Sequence, residues 1–229
     1  MKQKRTFYSE AAYAAGILAL AVGTAFMERA DFGMSMVVAP AYILHLKISQ
    51  HLPFYSFGMS EYVLQAVLLA ALSLVMGRFR KSYLFSFVTA VVYGFALDLS
   101  ILAVGLIPWS GLPWRGIYYL LGLVLCALGV SLLFHTYIAP EAYELFVKEL
   151  SEKRGWRIDR VKTVYDCVSC LVGIALSFAF FGFGRFEGVK LGTVLCALVN
   201  GWLIGRIGGA LESAFTFRDA LPWRDAFSR

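Results

Sequence analysis

FGMSMVVAPAYILHLKI, residues 32–48, decides how this chain is threaded. It is mostly apolar, yet a little shorter than the roughly 20 residues a membrane-crossing helix needs. Six longer apolar runs surround it, at about 11–27, 60–77, 84–107, 117–136, 165–183 and 190–208. If residues 32–48 do not cross, the N-terminus, the 78–81 loop, the 148–162 loop and the C-terminal tail share one side. That side then holds 16 of the 21 Lys and Arg residues, leaving Arg29, Lys47, Arg115, Arg185 and Lys190 opposite. If they do cross, the two basic loops move away from the N-terminus. Basic residues mark the cytoplasmic side, so the count predicts six spans with both termini cytoplasmic. Residues 32–48 are then re-entrant or lie at the interface, with Gly33 and Pro40 breaking the element.

Composition agrees. The chain is 59% hydrophobic and 16% charged, against about a quarter charged in soluble domains. The runs are continuously apolar, which argues against the alternating strands of a membrane barrel. The net charge of +6 is explained by helix orientation; no basic block interleaved with aromatics points to nucleic acid. MKQKR before the first run resembles the start of a signal peptide. The run is long for that role and lacks a small-residue cleavage site, so it is kept as a span.

Sliding the chain by 107 residues lays 59–99 over 166–206 without a gap, and nine of 41 positions match. The GRF triplet recurs at both hairpin turns, as Gly77-Arg78-Phe79 and Gly184-Arg185-Phe186. Gly16, Ala21 and Gly23 correspond to Gly122, Ala127 and Gly129, and Ala39-Pro40 corresponds to Ala139-Pro140. An odd number of spans per copy puts the copies in opposite orientations, an architecture of secondary transporters. The expected fold is therefore an all-α polytopic membrane protein of six transmembrane helices in two inverted three-helix repeats. Each repeat carries a short broken or re-entrant side helix. Residues 1–110 hold the first repeat with its re-entrant segment 32–48. Residues 111–229 hold the second, with 141–162 read as a basic, amphipathic cytoplasmic surface helix.

ERADFGMSMVVAP, 28–40, resembles the segment after the first helix of the YczE/YyaS/YitT-like family of bacterial integral membrane proteins. GVKLGTVLCALVNGWLIGRIG, 188–208, resembles that family's glycine-rich last helix, although Lys190 interrupts the expected G-x-G-T spacing. The resemblance implies a multi-pass protein of the bacterial plasma membrane with a transport-related role, and it implies no substrate.

Candidate substrate contacts follow. Glu28, Arg29 and Asp31 fall where helix 1 ends and the chain turns back. They are either a solvated loop with weak pairing or a charged vestibule beside a half-helix. Tyr93 and Asn200 hold equivalent mid-span positions, each followed by glycine; the ordinary role for such residues is helix–helix contact, the functional one a site on the pseudo-axis. Asp98 lies one turn beyond Tyr93. Glu61 and Gln65 line an outer cavity or are polar residues satisfied inside the bundle.

Cys126, Cys167, Cys170 and Cys196 read as small apolar residues. Cys167-Val-Ser-Cys170 has no second pair, so no metal or other cofactor is expected. No nucleotide loop or nucleophile–base pair is visible, and an enzyme is not expected. The leading expectation is a small-solute secondary permease taking a small-molecule or ion substrate, in contact with the lipid bilayer. The alternatives are the substrate-binding subunit of an energy-coupling-factor importer, with an ATPase module as partner, and a non-transporting accessory or scaffold protein. A homodimer is a further arrangement to test.

Overall fold

The computed structural model describes residues 4–222. Among them are eight helices and a two-stranded ribbon. In chain order these are β1 (Arg5–Tyr8), α1 (Ser9–Ala30), α2 (Ala39–Ile48), α3 (Phe57–Met76), α4 (Lys81–Gly105), α5 (Leu112–Phe134), α6 (Ala142–Arg154), α7 (Ile158–Phe181), α8 (Leu191–Ala214) and β2 (Phe215–Arg218). Six of the helices (α1, α3, α4, α5, α7 and α8) are long and apolar enough to cross a membrane. Leu74, Phe95, Leu102, Leu191 and Leu198 on these helices are exposed, as hydrocarbon-facing side chains must be. The protein is an all-helical, multi-pass membrane protein, and 32–48 is not a seventh span.

Helix ends follow local chemistry. Pro40 and Pro113 stand in the first turns of α2 and α5, where the missing N–H costs nothing. Ser56 caps α3 by accepting the Met59 N–H at 3.1 Å. The two GRF triplets both place their glycine at positive φ, 69° for Gly77 and 85° for Gly184, where a side chain is strained.

Helices α1 and α5 form the most extensive helix pair, and glycine is the reason. A Cβ on Gly23 would sit 2.9 Å from the Gly122 carbonyl oxygen, and one on Gly129 would sit 2.7 Å from the Gly16 carbonyl oxygen. Gly16 meets Gly129 while Gly23 meets Gly122, so the two helices run antiparallel with their backbones touching. The remaining pairings repeat: α1 packs on α4 as α5 does on α8, α2 on α3 as α6 on α7, α2 on α7 as α6 on α3, and α3 on α4 as α7 on α8.

Helix ends gather in two sets. At one, β1 pairs in parallel with β2, His135 after α5 meets Glu212 of α8 at 3.1 Å, and Lys153 of α6 reaches the Val75 carbonyl at 2.8 Å. This is the ribbon end. At the far end Arg29 of α1 reaches carbonyls after α4, Arg115 of α5 reaches the Ala30 carbonyl, and Lys47 of α2 reaches the Phe180 carbonyl. The short helices α2 and α6 thus end at opposite ends of the bundle. Their starts, Val37-Val38 and Glu141 to Glu144, line one interior cavity.

The stretch 141–162 is not the surface helix that its charge pattern predicts. Tyr143, Glu144, Leu145, Val147 and Glu149 of α6 are buried, and so is Lys162 at the start of α7. The amphipathic pattern is real, but its acidic first turn is packed against α3 and α7 rather than solvated. The ribbon, absent from the sequence reading, joins segments too short to carry a pattern of their own.

Candidate functional site

The interior cavity holds the chemistry. It has a volume of about 20 Å³ and is lined in part by Thr24, Tyr93, Glu141, Glu144, Lys162 and Asn200. Each comes from a different helix except the two glutamates, which the start of α6 supplies. The first turn of a helix presents unpaired N–H groups and a positive dipole end, a setting that favours the carboxylates of Glu141 and Glu144. Helix α4 fixes that turn in place: Thr89 Oγ1 donates to the Ala139 carbonyl at 2.9 Å and Ser86 Oγ to the Pro140 carbonyl at 2.5 Å.

Behind the cavity lies a polar network. Gln65 Oε1 accepts the Ala142 N–H at 3.0 Å, which fixes the orientation of its amide. Its Nε2 then donates to Glu61 Oε2 at 3.3 Å and to Glu141 Oε2 at 3.2 Å. Tyr143 donates its hydroxyl to the same Glu61 oxygen at 2.6 Å. Lys162 Nζ pairs with Asp166 Oδ1 at 2.8 Å, one helical turn along α7. Glu61, Glu141, Glu144 and Asp166 are each at most 2% exposed, and Lys162 is 4% exposed. Four carboxyls therefore share one ammonium in the interior. Glu61 Oε1, Glu141 Oε1, Glu144 Oε2, Asp166 Oδ2 and Asn200 Oδ1 have no hydrogen-bond partner. Burial, and then the nearby carboxylates of Glu144 and Glu61, push the Glu141 carboxyl well above the ordinary range. Glu144 is raised by burial too, with Lys162 acting against the shift.

Two larger spaces adjoin the cluster. A vestibule of about 550 Å³ opens at the ribbon end between α5, α6, α7 and α8, and Lys162 lines both it and the cavity. Gly205 and Gly209 of α8 border the vestibule, and a Cβ on either would meet nothing within 4 Å. These glycines leave space, unlike those of α1 and α5. A second, apolar groove of about 730 Å³ runs between α3 and α7 and is divided from the cavity by Val37 and Tyr143.

The sequence-derived candidates divide. Tyr93 and Asn200 do come together at the cavity, Tyr93 sharing a hydrogen bond of 3.0 Å with Thr24. Glu28, Arg29 and Asp31 lie at the far end instead. Arg29 satisfies the Gly105 and Ile107 carbonyls and stacks on Tyr118. Asp31 ends α1 at φ 53° and pairs with Arg115 at 3.0 Å and with Lys190 at 2.5 Å. Glu28 is half-buried and, behind burial itself as the larger cause, helps push the Tyr42 phenol of α2 upward. Asp98 accepts the Gly58 N–H at 2.9 Å, serving the start of α3. Sequence reasoning missed Glu141, Glu144, Lys162 and Asp166; Glu61 and Gln65, read either as lining an outer cavity or as polar residues inside the bundle, are buried inside it. The available signal was the Ala139-Pro140-Glu141 triplet, an acid at the position equivalent to the buried Ala41.

Among the described residues no group of three or more His, Cys, Asp or Glu is arranged to hold a metal ion. Cys126, Cys170 and Cys196 are buried and Cys167 is exposed.

Residues 7–208, which span all but the tail of the helical bundle, match the family described as a family of unknown function, DUF6198. The chain belongs to that family. No curated protein and no solved structure matches it, and the match does not by itself tie this DUF6198 member to the YczE/YyaS/YitT-like proteins.

Proposed function

We propose that the chain is a small-solute secondary transporter of the bacterial plasma membrane, both termini cytoplasmic, with its substrate site where the vestibule of about 550 Å³ meets the small cavity, between two inverted halves. The observation that carries this reading is the cluster itself: four buried carboxyls, a lysine and a bare asparagine carbonyl inside a six-span bundle, reached from one end by an open vestibule. Ionisable groups at membrane depth are costly and mark pathways for ions and substrates.

The inverted-repeat reading is supported by α1 and α5. They correspond in sequence, run antiparallel and make reciprocal contacts, Gly16 with Gly129 and Gly23 with Gly122. The repeated helix pairings support it as well. Helices α2 and α6 are then re-entrant half-helices whose starts meet at the site, as broken helices do in transporters. The Asp31–Arg115–Lys190 set closes the far end, so the charges of the 28–31 segment belong to a gate rather than to the substrate. Exposed pairs of this kind are worth under about 1 kcal/mol each, weak enough to open and reform during a cycle. Rocking one half against the other alternates access to the cavity.

The test is a thermal-shift screen of the purified chain against amino acids, vitamin precursors, organic cations, sulfonates and metal ions. A ligand that binds the folded state raises Tm. The expected result is a stabilising ligand whose effect is lost in Asn200→Ala and in Glu144→Gln and kept in Asp98→Asn. No stabilising ligand for well-folded protein, or one whose effect survives both cavity substitutions, contradicts the proposal.

A further inference from the structure

We infer that Glu61 and Glu141, joined through Gln65, bind the proton that drives this transporter, one of the pair taking up H⁺ as the cavity opens to the vestibule and releasing it on the other side. The inference rests on the transport reading for its role in a cycle, but not for the presence of the proton.

Charge and space argue for it first. With every carboxyl ionised, Glu61, Glu141, Glu144 and Asp166 against Lys162 leave three uncompensated negative charges (four minus one) among groups at most 4% exposed. Buried unpaired carboxylates neutralise rather than bear that cost. A cavity of about 20 Å³ admits one water-sized particle and no organic cation. Protons fit where larger counter-charges do not.

Hydrogen bonding then says which groups hold them. The Gln65 oxygen is committed to Ala142, so the amide offers only N–H to the two glutamates. Each glutamate accepts on Oε2 and leaves Oε1 bare, and that bare oxygen is where a proton adds: an O–H bond forms, and the proton comes from water in the vestibule. Glu61 receives two donors, from Gln65 and Tyr143, while Glu141 receives one. Donors favour the charged form, so of the two Glu141 is the one that holds a proton more tightly. Asn200 Oδ1, unpartnered and 4% exposed, lines the same cavity as Glu141. The other titratable groups that interact with Glu141 are Glu144 and Tyr143 on its own helix, Lys162 on α7, Tyr93 on α4, Cys126 on α5 and Tyr13 on α1, while Asp166 on α7 acts on Glu144 and Lys162. Of these only Lys162 is cationic.

Infrared titration of the full chain in nanodiscs reads the protons directly, with H⁺ as the only probe. The expected spectrum has a protonated-carboxyl band at pH 7 that bleaches as the pH rises and is diminished in Glu141→Gln. Stability must follow. Glu141 folded binds its proton more tightly than unfolded, where Glu titrates near about 4.3. Its contribution is therefore full below that value and is lost as pH rises through the folded pKa. Tm is expected to fall on the alkaline side in the wild type and to fall less in Glu141→Gln. The absence of a protonated-carboxyl band at pH 7 overturns the inference, as does a band unchanged in both Glu61→Gln and Glu141→Gln. If either variant fails to fold, Glu144→Gln and Asp166→Asn decide: a band kept in both supports the inference, and a band lost in either overturns it. A titrating pair in a chain that binds no solute would sink the transport reading and keep the proton site; a solute-binding chain with all carboxyls ionised does the reverse.

Discussion

Lys162→Met is expected to lower stability by about 3–5 kcal/mol, the cost of stripping the counter-charge from a buried pair. Lys162 is the one basic residue placed among Glu144, Asp166 and Glu141, and its ammonium lies 2.8 Å from Asp166 Oδ1. Methionine keeps the length and the apolar stem but removes the charge, leaving Asp166 and Glu144 with no cation. The double variant Lys162→Met, Asp166→Leu removes both members of the pair and is expected to recover part of the loss, because replacing a buried pair by apolar groups is often neutral while Glu144 still lacks its cation. Thermal unfolding in detergent, followed by size-exclusion fluorescence, reads all three chains. A single variant as stable as the wild type, or a double variant worse than the single, contradicts the arrangement.

Gly129→Leu is expected to leave little folded protein. Its Cβ would stand 2.7 Å from the Gly16 carbonyl oxygen and 2.8 Å from the Leu20 nitrogen. Both are backbone atoms of α1, so no rotamer change relieves the clash and the two helices must separate. Overpacking typically costs about 1–3 kcal/mol, and a backbone clash at the centre of the bundle lies at or above the upper end. Gly205→Ala and Gly209→Ala on α8 are expected to go the other way. Their Cβ atoms meet nothing within 4 Å, and alanine favours a helix over glycine by about 1 kcal/mol. Equal damage from all three substitutions would contradict the division into contact glycines and space-making glycines.

The spans, the recurring GRF turns and the meeting of Tyr93 with Asn200 were legible because each leaves a local trace: length, a repeated triplet, equivalent positions. The cluster was not, for a physical reason. Glu141, Glu144 and Lys162 belong to a stretch whose charge and amphipathic pattern match a solvated surface helix. Tertiary contacts draw that turn inward, those of Ser86 and Thr89 with residues 139–140 and those of Gln65 with Ala142 and Glu141. The 28–31 segment shows the converse. Charges beside an apolar run fitted a solvated loop or a vestibule alike, and the structure adds that Arg29 and Arg115 reach carbonyls at helix ends and that Asp31 ties α1 to α5 and α8. Net burial of a charge is a property of the fold, and periodicity does not report it.

The open vestibule at the ribbon end reaches inward to Lys162. Labelling of Gly205→Cys by a membrane-impermeant thiol reagent, with Cys126, Cys167, Cys170 and Cys196 replaced, tests this most directly. Membrane vesicles of both orientations are compared. Rapid labelling is predicted from the face that carries the chain termini, with none from the other face. Labelling from the opposite face, or from neither, would contradict the account.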